Sequence, residues 1–168
     1  MKQLLFLIAT LFVFSCSNDD NVHTSQVATG SNTATLIFDG KKMMGSAISN
    51  APQDFLVDVS KQQVWVFVKL SNGDEFVTFN LFSNIELEEG KTYAIKGNLN
   101  SNVKAVNEHY GSNVQYIGCS TNEEVGGSIT ITKLDYKSRI IGAAFTYDTV
   151  DDKGVIHTIR NGWFDLKF

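Results

Sequence analysis

From Ala34 onward, apolar and polar positions alternate with a period of two, the spacing of β-strands. Ala34–Asp39 is the first such run, and Gly40-Lys41-Lys42 turns the chain into Met43–Ser49. Asn50-Ala51-Pro52-Gln53 holds the single proline and breaks the pattern before Phe55–Val59. Val64–Leu70 is apolar at both parities and rich in β-branched and aromatic residues, which predicts a central strand buried on both sides. Asn72-Gly73 then marks a hairpin into Glu75–Ser83. An acidic turn, Glu86–Gly90, leads to Thr92–Lys96.

The segment after Gly97 admits two readings. Ser101 can cap a short helix carrying Val103 and Val106 and stopped by Gly111. The preferred alternative is a strand, Val103–Tyr110, turning at Gly111-Ser112-Asn113 into Val114–Cys119. Further on, Ile129 and Ile131 alternate with Ser128, Thr130 and Thr132. After a turn at Asp135–Ser138, Ile141, Ala143, Phe145 and Tyr147 share one face, and the Gly142-Ala143-Ala144 cluster predicts close approach by another element. A last turn at Asp151–Gly154 precedes Val155–Phe168, with Phe164, Leu166 and Phe168 expected inward and Trp163, Asp165 and Lys167 outward. These runs predict one all-β domain over residues 33–168. It is an antiparallel β-sandwich or flattened β-barrel of about nine to eleven strands, with a lipocalin-like closed barrel as the alternative.

The first 32 residues follow another pattern. Met1-Lys2-Gln3 is short and basic, and Leu4–Phe14 is an apolar run too short to span a bilayer as a stable helix. Val13-Phe14-Ser15-Cys16 resembles the bacterial lipobox, with a branched apolar residue three before the cysteine and a small one just before it. The resemblance implies a signal peptide of residues 1–15, cleavage before Cys16 and lipidation of its thiol. Residues 16–32 are then the lipidated cysteine and a polar tether, too poor in apolar surface to offset the entropy of ordering it. A flexible chain of that length spans about 20–24 Å. Ser17-Asn18-Asp19-Asp20 is similar to the acidic signal that directs Bacteroidetes lipoproteins to the outer face of the outer membrane; a solvated acidic tether is the other reading. His23 falls in this segment and has no chemical role.

Composition adds an exclusion. The chain carries a net charge of −4, and removal of residues 1–15 takes away Lys2 and no acid. A mildly acidic chain without a basic run has no electrostatic footprint for nucleic acid, and no polybasic patch for anionic lipid. Of the two cysteines, Cys16 is assigned to lipidation, leaving Cys119 as a buried apolar residue; a Cys16–Cys119 disulfide is the competing reading.

No phosphate loop, zinc spacing or nucleophile elbow occurs, so no catalytic residue and no cofactor is assigned. His157 is in phase with Val155 and Ile159 and is expected half-buried within the fold. His109, beside Glu108 and Tyr110, is expected at a loop or edge. Glu86, Glu88 and Glu89, and the pair Asp151-Asp152, fall on turns where acids are expected for solvation; calcium at Asp151-Asp152 or Asp19-Asp20 matches no loop pattern. Trp65, Tyr136 and Trp163 are the candidate ligand platform, a stacking surface for sugars if their faces are open.

The runs GGSITITKLD, RIIGAAFTY and IRNGWFDLKF resemble the C-terminal half of a Flavobacterium-type family of Bacteroidetes lipoproteins without an established activity. The resemblance covers about the last forty-five residues well, departs at Ala143-Ala144, and implies an all-β fold and an envelope address. The expectation is a lipid-anchored outer-membrane protein, held by Cys16 on the periplasmic or cell-surface face. Its domain is then a non-enzymatic binding or structural module, an apolar-ligand carrier, or a glycan-binding or glycan-active accessory protein.

Overall fold

The computed structural model describes residues 27–46, 55–60, 63–97 and 103–168. The stretch Val13-Phe14-Ser15-Cys16 that resembles a lipobox, and the acidic cluster after it, lie outside them. The described chain is all-β, in eleven strands: β1 (Thr33–Phe38), β2 (Lys41–Ser46), β3 (Phe55–Val59), β4 (Val64–Asn72), β5 (Glu75–Ser83), β6 (Thr92–Ile95), β7 (Val103–Gly111), β8 (Val114–Ser120), β9 (Gly127–Asp135), β10 (Ile140–Asp151) and β11 (Ile156–Lys167). Eight of them close an antiparallel barrel in the order β1-β2-β4-β5-β7-β8-β10-β11, with β11 pairing back to β1. The remaining three stand outside that ring: β3 pairs the lower part of β4, β9 pairs β10 at residues 140–147, and β6 pairs β9. Closure removes the free edges that an open sheet of this length would expose.

Segment 103–111 is a strand because its inward positions, Val103, Ala105 and Asn107, recur every two residues and are buried at 1% exposure or less. A helix would carry only part of that set to the core. The β4–β5 hairpin forms as expected, one residue further on: Asn72 pairs Glu75, so Gly73-Asp74 is the two-residue loop, with Gly73 at φ 63°. A glycine at the first loop position is the requirement of a type II′ turn. In the β1–β2 turn both Asp39 and Gly40 have positive φ, and the two lysines expected there lie in β2.

β4 departs from expectation. Val64, Val66, Val68 and Leu70 are fully buried, while Trp65, Phe67 and Lys69 are only half-buried. A barrel wall has one packed face, and the outer apolar residues of β4 are covered by cross-strand stacking such as Trp65 on Phe82, rings 5.9 Å apart.

Aromatic rings pack the middle of the barrel. Phe79 stacks on Phe145 with centroids 4.5 Å apart, and Tyr147 and Phe164 pack around this pair at 5.9–6.2 Å. Gly162 makes room for it, since a Cβ there would sit 2.0 Å from the Phe145 ring. Eight strands enclose a space that side chains of this size occupy.

Trp163 and Asp165 do face outward on β11, yet they are only 4% and 2% exposed. Residues 28–32 cross the outside of β10 and β11 as a strap. The Asp165 carboxylate accepts the backbone N–H groups of Thr29 (2.9 Å), Gly30 (2.5 Å) and Ser31 (3.1 Å), and the hydroxyls of Thr29 and Ser31. Asn32 accepts the Lys167 N–H at 2.8 Å. The close approach expected at Gly142 is made by this strap, because a Cβ on Gly142 would lie 2.4 Å from that of Ala28. Local composition made 27–32 look like tether; the buried acid on β11 supplies the partners that its backbone amides need.

Candidate functional site

The hairpins β1–β2, β4–β5, β7–β8 and β10–β11 all turn at one end of the barrel, opposite the strap, as an up-and-down strand order requires. Polar residues gather at this end. Phe38 lies between two histidine rings, His109 at 5.0 Å and His157 at 5.6 Å. Glu75 joins two tips, with Lys41 Nζ at 2.6 Å and His109 Nε2 at 3.4 Å. The Lys41 ammonium holds the Glu75 carboxyl below the usual carboxylate range. His157 Nδ1 is 2.7 Å from Asp39 Oδ2, while its Nε2 faces Asp151 Oδ2 at 3.7 Å.

Deeper in the barrel, a buried polar chain ties the strands together. Asn107 Nδ2 donates to the Thr78 carbonyl and Asn107 Oδ1 accepts the Tyr147 hydroxyl, both at 2.8 Å. Burial pushes the Tyr147 phenol up, so it remains a donor. Cys119 Sγ donates to the Asn107 carbonyl at 3.6 Å, and burial pushes that thiol up as well. A protonated, enclosed thiol is a packing group and no nucleophile. Tyr147→Phe strands the Asn107 oxygen in the core. It is expected to cost about 1–3 kcal/mol of stability, seen as a lower urea midpoint at unchanged slope.

On the outside, next to these groups, β7, β8 and the end of β10 border a groove of about 480 Å³. Tyr116, 61% exposed, stands along it and donates its hydroxyl to Glu108 Oε1 at 3.0 Å. That bond raises the Tyr116 phenol above its ordinary value. Gly118 forms the floor, and Val150, Asp151 and Asp152 the far wall.

The three platform residues are not brought together. Trp65 stacks on Phe82 on β4–β5, Tyr136 meets Phe168 edge-on at 6.0 Å, and Trp163 lies buried on β11. They belong to separate parts of the wall, and only Tyr136 is exposed. His157 is more buried than expected, at 6% exposure, because the β1–β2 turn closes over it through Asp39. Val155, at the same parity, lies in the turn and is exposed. His109 sits on β7 with its side chain largely enclosed.

Asp151 Oδ1 accepts the N–H groups of Lys153 and Val155 across the turn. Among the described residues, no three His, Cys, Asp or Glu side chains converge to hold a metal ion. Tyr116 and Asn122 escaped the sequence reading, which noted Glu108 only as a neighbour of His109. The available signal was Gly118, an isolated glycine inside a strand, over which the Tyr116 side chain lies. Comparison with protein-family models, curated proteins and solved structures finds no match for the chain.

Proposed function

We propose that this chain is a lipid-anchored outer-membrane lipoprotein whose barrel is a non-enzymatic binding or structural module of the cell envelope. The observation that carries the reading is Val13-Phe14-Ser15-Cys16 behind an apolar run of signal-peptide length. Acyl chains on one cysteine hold a protein at a bilayer, each buried methylene contributing about 0.8 kcal/mol. The likeness of the last three strands to Bacteroidetes lipoproteins supports the same address. The strap meets the barrel at the end opposite the four hairpin tips, so a tether from Cys16 would join it at that end.

Eight-strand closure would suit a carrier of apolar ligands; the packing of Phe79, Phe145, Tyr147 and Phe164 in the middle of the barrel speaks for the first reading. The separation of Trp65, Tyr136 and Trp163 leaves the sugar platform without a surface. Binding on the outer wall is the form of the proposal these observations favour.

Metabolic labelling with radioactive palmitate tests the anchor. Wild type is expected to incorporate label into the outer-membrane fraction, and Cys16→Ala to incorporate none. Equal labelling of the two overturns the reading.

A further inference from the structure

The outer wall of β4, β5 and β7 is apolar on the side that faces away from the core. Val64, Val66, Val68 and Leu70 on β4, Val77, Phe79 and Leu81 on β5, and Val103 and Ala105 on β7 point inward and are buried. Alternation therefore turns Trp65, Phe67, Phe76, Phe82, Val106 and Tyr110 outward. The register sets these six together: Trp65 is opposite Phe82, Phe76 is opposite Tyr110, and Phe67 and Val106 flank Asn80. The rings stack in pairs, Trp65 on Phe82 at 5.9 Å and Phe76 on Tyr110 at 5.5 Å, yet all six side chains are only half-buried. A contiguous outward patch of this kind marks an interaction surface.

Four charged side chains frame the middle of the patch. Asp58 on β3 is opposite Trp65, at one end of a row that runs through Phe82 to Lys104. Two rows along the strands, Lys69 is opposite Thr78, and Thr78 is opposite Glu108. The signs alternate around the frame: negative at Asp58, positive at Lys104, negative at Glu108 and positive at Lys69. Among the described residues none of the four makes an ion pair. The two ammonium groups lie on rings of the patch itself, Lys69 Nζ 4.4 Å from the Phe76 centroid and Lys104 Nζ 5.6 Å from that of Phe82.

We infer that two copies of this chain meet on this face, sheet against sheet about a twofold axis. A face that binds its own copy must be complementary to itself. The alternating frame meets that condition. With the axis along the strands, Asp58 meets Lys104 of the other copy and Lys69 meets Glu108. With the axis across them, Asp58 meets Lys69 and Lys104 meets Glu108. Each charge gains an unlike one in either arrangement, while the rings between them leave water. A frame of one sign would repel its own copy and fit an oppositely charged partner instead. The inference goes beyond the reading of the barrel as an envelope module and does not depend on acylation of Cys16.

Sedimentation equilibrium of the full-length protein in a density-matched non-ionic detergent tests it. Wild type is expected to dimerise. Phe67→Glu should weaken the dimer about tenfold or more, because it carries a charge into the apolar middle of the interface. An all-positive face, Asp58→Lys with Glu108→Lys, and an all-negative face, Lys69→Glu with Lys104→Glu, should each self-associate about tenfold more weakly than wild type, since like charges then meet. Mixed in equal amounts, these two chains should associate with each other as wild type does. A misfolded variant would not be rescued by mixing. All the chains carry the same N-terminus, so sharing of a micelle cannot produce the differences. The idea is overturned if wild type stays monomeric, if both charge-altered chains dimerise like wild type, or if their mixture fails to associate.

Discussion

Asp165→Asn is expected to release the strap and lower the unfolding free energy by about 2–4 kcal/mol, since one carboxylate gathers several charge-assisted hydrogen bonds at a covered site. Asparagine keeps the shape but has one acceptor oxygen where Thr29, Gly30 and Ser31 offer three amides and two hydroxyls. The amides of these three residues should lose hydrogen-exchange protection while those of β5 and β7 keep theirs. Burial alone would push the Asp165 carboxyl up; the Thr29, Ser31 and Gly30 amides and the Ser31 hydroxyl outweigh it, so the group titrates below the usual carboxylate range. Its contribution is therefore complete above the unfolded-state value of about 4, and is lost as the pH falls through the lower folded-state value. Wild type should lose stability in that acid window, and Asp165→Asn should lose less. Superimposable acid limbs, or unchanged exchange at Gly30, would show that the carboxylate does not hold the strap.

Phe79→Ala is expected to cost about 3–5 kcal/mol and to leave a cavity bordered by Phe145, Tyr147 and Phe164. The lost ring stacks on one aromatic neighbour and touches two more, and a barrel wall held by continuous hydrogen bonding has little freedom to collapse inward. The void is apolar and stays dry, so it should accept benzene. The variant should accordingly gain denaturation temperature in benzene-saturated buffer, through binding to the folded state alone, while wild type gains none. A wild-type protein that binds benzene would show that its interior has room for a ligand after all.

Much of the fold was legible. Strand positions followed from period-two alternation, as at Ile129 and Ile131 or at Val77, Phe79 and Leu81, where one parity is wholly buried. The Asn72-Gly73 signal placed the hairpin but not its centre, because a type II′ turn seats the glycine first and takes Asp74 as its second residue. Gly142 announced a close neighbour without saying which, since the neighbour lies 114 positions earlier, at Ala28. The candidate site was much less legible. Tyr116, Glu108, Asn122 and Asp152 come from β7, β8 and two turns, and each is an ordinary exposed residue type in its own segment.

The positions of the strands and the buried parity of those that alternate are local properties, set by alternation and turn chemistry within about ten residues, and the chain's order of letters carries them. The resemblance of Val13-Phe14-Ser15-Cys16 to a lipobox is local in the same sense. Closure of the eight strands, the aromatic packing in the middle of the barrel, the capture of residues 28–32 by Asp165 and the acidic groove at Tyr116 depend on which strand lies beside which. Closure and the strap join residues more than a hundred positions apart, as Thr33 with Asp165 does, and the other contacts join residues tens of positions apart; such long-range register is a balance of packing over the whole barrel that no single segment encodes.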